Sequence, residues 1–211
     1  MDNILSKRWE KRNEEIDTIS LKSIDDITKS KVLDKFILFP FESNTNLMKW
    51  EVNVMEEYIN VKNDFNILEI GSGIGNFCRV FQSKYEVASY TILDTPNMLR
   101  FSKFFLDYYK VQYTAVEEHE ALLGQNFDLC VSNMCMSELP DEYLDILLKN
   151  VLRNCRYVFF IDTMRKEFAE VTAKKLLKYS KFRNVKCIKY DEFYLPNHGV
   201  IFASRDKINN L

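Results

Sequence analysis

Three of the chain's five glycines, Gly71, Gly73 and Gly75, fall within the nine residues ILEIGSGIG, between an apolar run and the helical pattern GNFCRVFQSKY. An apolar strand that stops at glycine and hands over to a helix is a strand-to-helix turn. In an open α/β sheet that turn is where a nucleotide-like ligand is bound. Glycine suits it because a tight turn takes up positive φ and because a missing Cβ lets a ligand approach the main chain. The dinucleotide fingerprint G-x-G-x-x-G would place glycine at position 76, which is Asn76. The pattern is instead E-x-G-x-G-x-G, beginning at Glu69.

Beyond residue 65, short apolar runs alternate with longer amphipathic stretches, the signature of βα units and a parallel sheet. Strands are expected at 66–70, 88–93, 111–116, 127–132, 156–161, 183–190 and 199–204, and helices starting near Asn76, Pro96, Glu117, Pro140 and Arg165. Pro96 and Pro140 suit a first helical turn, where a missing N–H costs nothing. Five βα units followed by two strands joined through LPNHG give an α/β, doubly wound, mainly parallel seven-stranded sheet with an antiparallel final strand. The first ~60 residues carry no strand signal but two helical patterns. These are residues 4–19 and NLMKWEVNVMEEYIN, where Leu47, Trp50, Val54 and Ile59 fall near one face. The expected organisation is a helical cap on the substrate side over 1–62 and a Rossmann-like core over 63–211.

With 211 residues and 46% hydrophobic content, the chain can bury the core of one domain with an extra terminal segment. A net charge of −2 and a pI near 5.8 supply no overall basic field, so nucleic acid is not an expected partner. Cys78, Cys130, Cys135, Cys155 and Cys187 form no C-x-x-C pair and read as reduced core thiols. The start lacks the apolar core of a signal peptide, and no window approaches the ~18 apolar residues of a membrane span. A cytoplasmic protein is expected.

Glu69, Gly71, Gly73 and Gly75 resemble the first motif of class I S-adenosyl-L-methionine (SAM) methyltransferases, which implies SAM as cofactor, with Ser72 in the same turn. The next strand ends in Asp94, nineteen residues after Gly75 and followed by Thr95. An acidic side chain there can accept hydrogen bonds from both ribose hydroxyls. Alone, Asp94 reads equally as a solvated helix cap. After the third strand come Glu117, Glu118 and His119, where the fold offers a polar group to adenine; the alternative is a charged first helical turn. Ser132 and Asn133 end the fourth strand at the ligand-binding edge.

LDTPNMLRFSKFFLDYY (93–109) and FDLCVSNMCMSELP (127–140) further resemble segments of bacterial sugar O-methyltransferases, a likeness extending over roughly 36–205 and departing at Cys135. It implies a sugar hydroxyl, on a nucleotide-linked or lipid-linked precursor, as the small-molecule acceptor. Such a hydroxyl is a weak nucleophile at neutral pH, so a positioned base is expected to contribute ~10²- to 10⁴-fold. The candidates are Glu138, otherwise a helix cap, and His198, otherwise a turn histidine. Asp162 ends strand five, but position 133 is asparagine, so three hard oxygen ligands are not evident and a metal-free enzyme is favoured. Trp50, Tyr58 and Phe41 are either an aromatic wall over the acceptor or core residues. Three other readings stay open: a nitrogen acceptor, a nicotinamide oxidoreductase, and a catalytically silent subunit whose N-terminal helices bind a partner. The first lacks the Asp/Asn-Pro-Pro-aromatic signature and the second is opposed by Asn76. A homodimer also stays open.

Overall fold

The computed structural model describes residues 41–163, 166–189 and 198–206. Seven strands form one sheet in the order β3-β2-β1-β4-β5-β7-β6. They are β1 (Asn66–Ile70), β2 (Ser89–Leu93), β3 (Thr114–Val116), β4 (Phe127–Asn133), β5 (Cys155–Thr163), β6 (Asn184–Lys189) and β7 (His198–Ser204). The first five run parallel, and β7 lies antiparallel between β5 and β6. The helices are α1 (Phe41–Glu56), α2 (Asn76–Lys84), α3 (Pro96–Tyr108), α4 (Asp141–Asn150) and α5 (Lys166–Tyr179).

Alternation along each strand divides the core. Ile67, Ile92, Leu129, Val131, Phe159 and Ile161 pack against α1, α2 and α3 on one face. Leu68, Ile70, Cys130, Val158 and Phe160 pack against α4 and α5 on the other. Both faces are covered, which is why the parallel strands read as near-continuous apolar runs. Cys78, Cys130 and Cys155 are buried free thiols as expected, whereas Cys135 is half-buried and Cys187, on the outer strand β6, is exposed rather than in the core.

α1 is pinned to α2 by polar bonds at one end. Asn76 Nδ2 donates to Asn44 Oδ1 at 2.6 Å, and Arg79 bonds both Thr45 and Asn76. The residue that breaks the dinucleotide fingerprint is therefore buried and engaged in docking the N-terminal helix.

Several boundaries differ from the sequence expectation. α1 begins at Phe41, five residues ahead of the apolar pattern, and ends at Glu56. β3 begins at Thr114 rather than 111, because Val111 N bonds back to Leu106 O and Lys110 takes φ of 56°. The expected helix from Glu117 is only a 3₁₀ turn, His119–Leu122, closed off by Gly124 at φ 77°. Pro96 occupies the first turn of α3, whereas Pro140 is the N-cap of α4, one residue ahead of the helix. The 4–19 helical pattern and most of the LPNHG link lie outside the described residues; His198 and Gly199 of that link open β7.

Candidate active site

The glycine turn sits at the carboxyl edge of the sheet. Gly71 takes φ of 75° and Gly73 φ of 57°, conformations that L side chains rarely adopt. A Cβ on Gly71 would lie 2.3 Å from Cys135 Sγ, so this glycine admits the loop after β4. A Cβ on Gly73 would meet nothing within 4 Å, so the space above it is open to a ligand. Gly75 is the N-cap of α2, at φ 84°.

Asp94 faces this turn from the end of β2. Its Oδ2 accepts from Gly73 N at 3.1 Å and Ser72 Oγ at 3.3 Å, and its Oδ1 accepts from Thr95 N at 2.8 Å. Burial pushes its carboxyl up to about 6 against those bonds. Thr95 caps α3, its hydroxyl accepting from Met98 N at 3.4 Å. The sequence alternatives for Asp94 were ligand and helix cap; the cap is Thr95, and Asp94 is braced against the glycine turn.

A cleft of about 360 Å³ opens here, lined by Ile70, Gly71, Leu93, Asp94, Thr95, Pro96, Glu117, Glu118, Cys135, Leu139, Pro140 and Tyr143. That volume falls within the range of small-molecule sites. Glu117 and Glu118 are exposed on its rim. Leu93, Pro96, Leu139, Pro140 and Tyr143 give it apolar walls suited to a flat ring, and His119 meets Tyr143 edge-on at 5.4 Å. Burial pushes the Tyr143 hydroxyl up to about 12, so it remains a neutral donor at neutral pH.

The loop after β4 closes one side. Met134 takes φ of 57° and its N–H donates to Ile161 O at 2.7 Å. Asp162, buried at the end of β5, accepts from the backbone N–H and hydroxyl of Ser137. This fastening places Cys135 against Gly71. Burial, then Asp94, Asp162 and Glu138, hold the Cys135 thiol well above its ordinary range, so it is an uncharged packing group. Among the described residues no group of three or more His, Cys, Asp or Glu is arranged to hold a metal.

The remaining sequence candidates divide. Glu69 is buried on the α1 side of the sheet, accepts from Tyr90 OH at 2.8 Å, and is pushed up to about 8 by burial. Ser132 is buried and spends its hydroxyl on Ile70 O at 2.8 Å, and it does not line the cleft. Asn133 Nδ2 donates to Glu51 Oε2 at 2.7 Å. Glu138 ends a 3₁₀ turn, Met136–Glu138, between Cys135 and the cleft-lining Leu139; the N-cap residue of α4 is Pro140. His198 begins β7 opposite Thr163, at the same sheet edge but three strand spacings, ~14 Å, from β1. Trp50 and Tyr58 pack against the core, Tyr58 with its ring 5.5 Å from Phe202. The Phe41 side chain lies outside the described residues.

Glu51 and Tyr143 were missed by the sequence reading. Glu51 carried a usable signal: it interrupts an apolar helical stripe formed by Leu47, Met48, Val52 and Met55. Tyr143 carried none, since an aromatic residue in the first turn of an amphipathic helix is ordinary.

No protein-family model matches the chain, and no curated protein matches it by sequence. Solved structures do match it. A methyltransferase from Pyrococcus furiosus superposes with a TM-score of 0.58 at 14% identity, covering 74% of this chain and 82% of that one. Magnesium protoporphyrin IX methyltransferase from Synechocystis PCC 6803, with bound SAM, gives 0.58 at 14% identity, covering 96% and 93%. The pyocyanin biosynthetic protein PhzM gives 0.58 at 15%, covering 84% and 59%. At such identities the likeness establishes the fold, which is the Rossmann-like methyltransferase fold.

Proposed function

We propose that this protein is a SAM-dependent methyltransferase of a small polar acceptor. The observation that carries the reading is the cleft lined by Gly71, Asp94, Glu117 and Tyr143, beside a glycine turn whose positive-φ Gly73 has open space above it. That donor and acceptor set suits an adenosine. Asp94 offers a carboxylate to ribose hydroxyls, Glu117 and Glu118 offer oxygens to an exocyclic amine, and Pro96, Leu139 and Tyr143 flank a flat base. Gly73 allows the remainder of the cofactor to lie on the main chain.

Bound SAM supplies an activated methyl group and a neutral leaving thioether. The chain's task is then to align the acceptor and exclude water. The Cys135–Pro140 segment forms the wall beside Gly71, and α1 covers the end of β4 through the Glu51–Asn133 bond. The acceptor read from motif resemblance is a sugar hydroxyl, with Glu138 or His198 as its base. The resemblance of 93–109 and 127–140 is what supports that choice. Segment 1–62 is proposed to shape the acceptor side of the site. The experiment is a screen of nucleotide sugars with isotope-labelled SAM, read by mass. Methyl incorporation into one of them supports the reading. Bound SAM with every sugar unmethylated would redirect the acceptor class, and no SAM binding would remove the cofactor assignment.

A further inference from the structure

The end of β5 grips the segment after β4 at two places. Ile161 O accepts from Met134 N at 2.7 Å. The next residue, Asp162, accepts from Ser137 N at 2.9 Å through Oδ2 and from Ser137 Oγ at 2.5 Å through Oδ1. These two grips stand on either side of Cys135, whose Sγ and Cβ occupy the space that a Cβ on Gly71 would take. The route between them holds Met134 in a left-handed conformation, φ 57°, and strain of that kind persists only where the surroundings over-determine it. A buried carboxyl that takes two bonds from one residue fixes both the place and the orientation of that residue, where a single bond would let it pivot.

Asp162 does not line the cleft, but the segment it holds does. Cys135, Leu139 and Pro140 form one stretch of the lining, and Ser137 lies in the middle of that stretch. The rest of the lining comes from the glycine turn, the end of β2, the segment after β3 and Tyr143 of α4. Beyond Met134 the chain has left the β4–β5 ladder and forms only the 3₁₀ turn Met136–Glu138. The Asp162 clasp ties the middle of that turn to the sheet.

We propose, resting on the SAM reading above, that Asp162 is a positioning residue for the cofactor. By holding Ser137 it keeps the Cys135–Pro140 wall seated against the glycine turn, so that the cleft has its shape before SAM arrives. A wall that had to be ordered on binding would subtract that cost from the affinity. Asp162 touches neither the cofactor nor the reacting atoms in this role and acts through Ser137.

Two measurements on the full chain test this without an acceptor: calorimetric titration with SAM, and alkylation of the thiols read residue by residue by mass. Ser137→Ala removes the hydroxyl donor, and Asp162→Asn replaces one acceptor oxygen with an amide. Each is expected to weaken SAM binding roughly tenfold, the scale of one hydrogen bond to a carboxylate. The double variant is expected to lose less than the product of the two, because both remove the same contact. Without ligand, Cys135 is expected to be alkylated several-fold faster in either variant than in wild type, while Cys130 and Cys155, buried in the core, keep their wild-type rates. Ile201→Val, which trims the core on β7 away from the wall, is expected to leave SAM affinity unchanged. Unchanged SAM affinity in both clasp variants overturns the proposal, as does an equal loss in Ile201→Val, fully multiplicative losses in the double variant, or Cys135 alkylation that rises only together with Cys130 and Cys155. Should Asp162→Asn fail to fold, Ser137→Ala decides by its affinity and its Cys135 rate. Wild type that binds no SAM removes the cofactor reading and this role with it, whereas wild-type binding with unchanged clasp variants removes this role and leaves the cofactor reading standing.

Discussion

Gly71 and Gly73 share a backbone conformation but not a neighbourhood, so the same substitution should cost different amounts at the two sites. Alanine at either pays for a left-handed conformation, ~1–2 kcal/mol. At Gly73 nothing more is due, because the added Cβ meets no atom within 4 Å. At Gly71 the Cβ would sit 2.3 Å from Cys135 Sγ and 2.4 Å from Cys135 Cβ, a clash at the short stem of a side chain that has no flexible end to move. Overpacking of that kind adds ~1–3 kcal/mol. Gly71→Ala should therefore cost ~2–5 kcal/mol, a large part of the ~5–15 kcal/mol that holds a domain folded. Cys135→Gly removes both clashing atoms and leaves Cys135 Cα at 3.9 Å, an ordinary contact. In that background Gly71→Ala should fall back to the ~1–2 kcal/mol of backbone strain. Urea unfolding of the single and double variants reads these differences directly. Equal costs at the two glycines, or a Gly71→Ala cost that Cys135→Gly does not relieve, would refute the packing of the β4 loop on the turn.

Glu69 predicts a pH dependence. Its folded value of about 8 lies above the ordinary carboxyl range, so between pH ~4.3 and 8 the folded state binds a proton that the unfolded chain does not. Stability should fall as pH rises through that window, by up to roughly 5 kcal/mol from this group, and Glu69→Gln should flatten the slope in thermal or urea unfolding. For the base, Glu138→Gln and His198→Gln keep shape and remove basicity; whichever residue serves should show turnover reduced about 10²-fold with SAM affinity nearly intact. Near-normal turnover in both variants would discard both assignments. Methyl transfer should persist in a strong chelator, since Asp162 is engaged by Ser137. Loss on chelation with rescue by magnesium would reverse that expectation.

The sheet was legible because its parallel strands are buried on both faces and read as apolar runs, and because ILEIGSGIGN announces a strand, a turn and a helix within ten residues. Asp94 was legible by position, at the end of the strand after the glycine turn. The segment after β3 was not, since VEEHEALL has helical composition, yet Gly124 ends it after one 3₁₀ turn. Val111 carries β propensity but is tied back to the end of α3, a tertiary choice that propensity does not encode. Glu51 was legible as an acid interrupting the Leu47, Met48, Val52 and Met55 stripe, but only the fold places Asn133 opposite it. The relation of Cys135 to Gly71 depends on Met134 adopting positive φ, which no local pattern announces.

The proposed activity requires that the cleft lined by Gly71 and Asp94 bind SAM. Calorimetric titration of SAM into wild type and into Asp94→Ala, with circular dichroism to confirm that the variant is folded, tests this most directly. One-site binding to wild type is expected, with at least about tenfold weaker binding to Asp94→Ala, from the loss of charge-assisted hydrogen bonds to ribose worth ~1.5–3 kcal/mol each. No binding to wild type, or the same affinity in a folded Asp94→Ala, would contradict it.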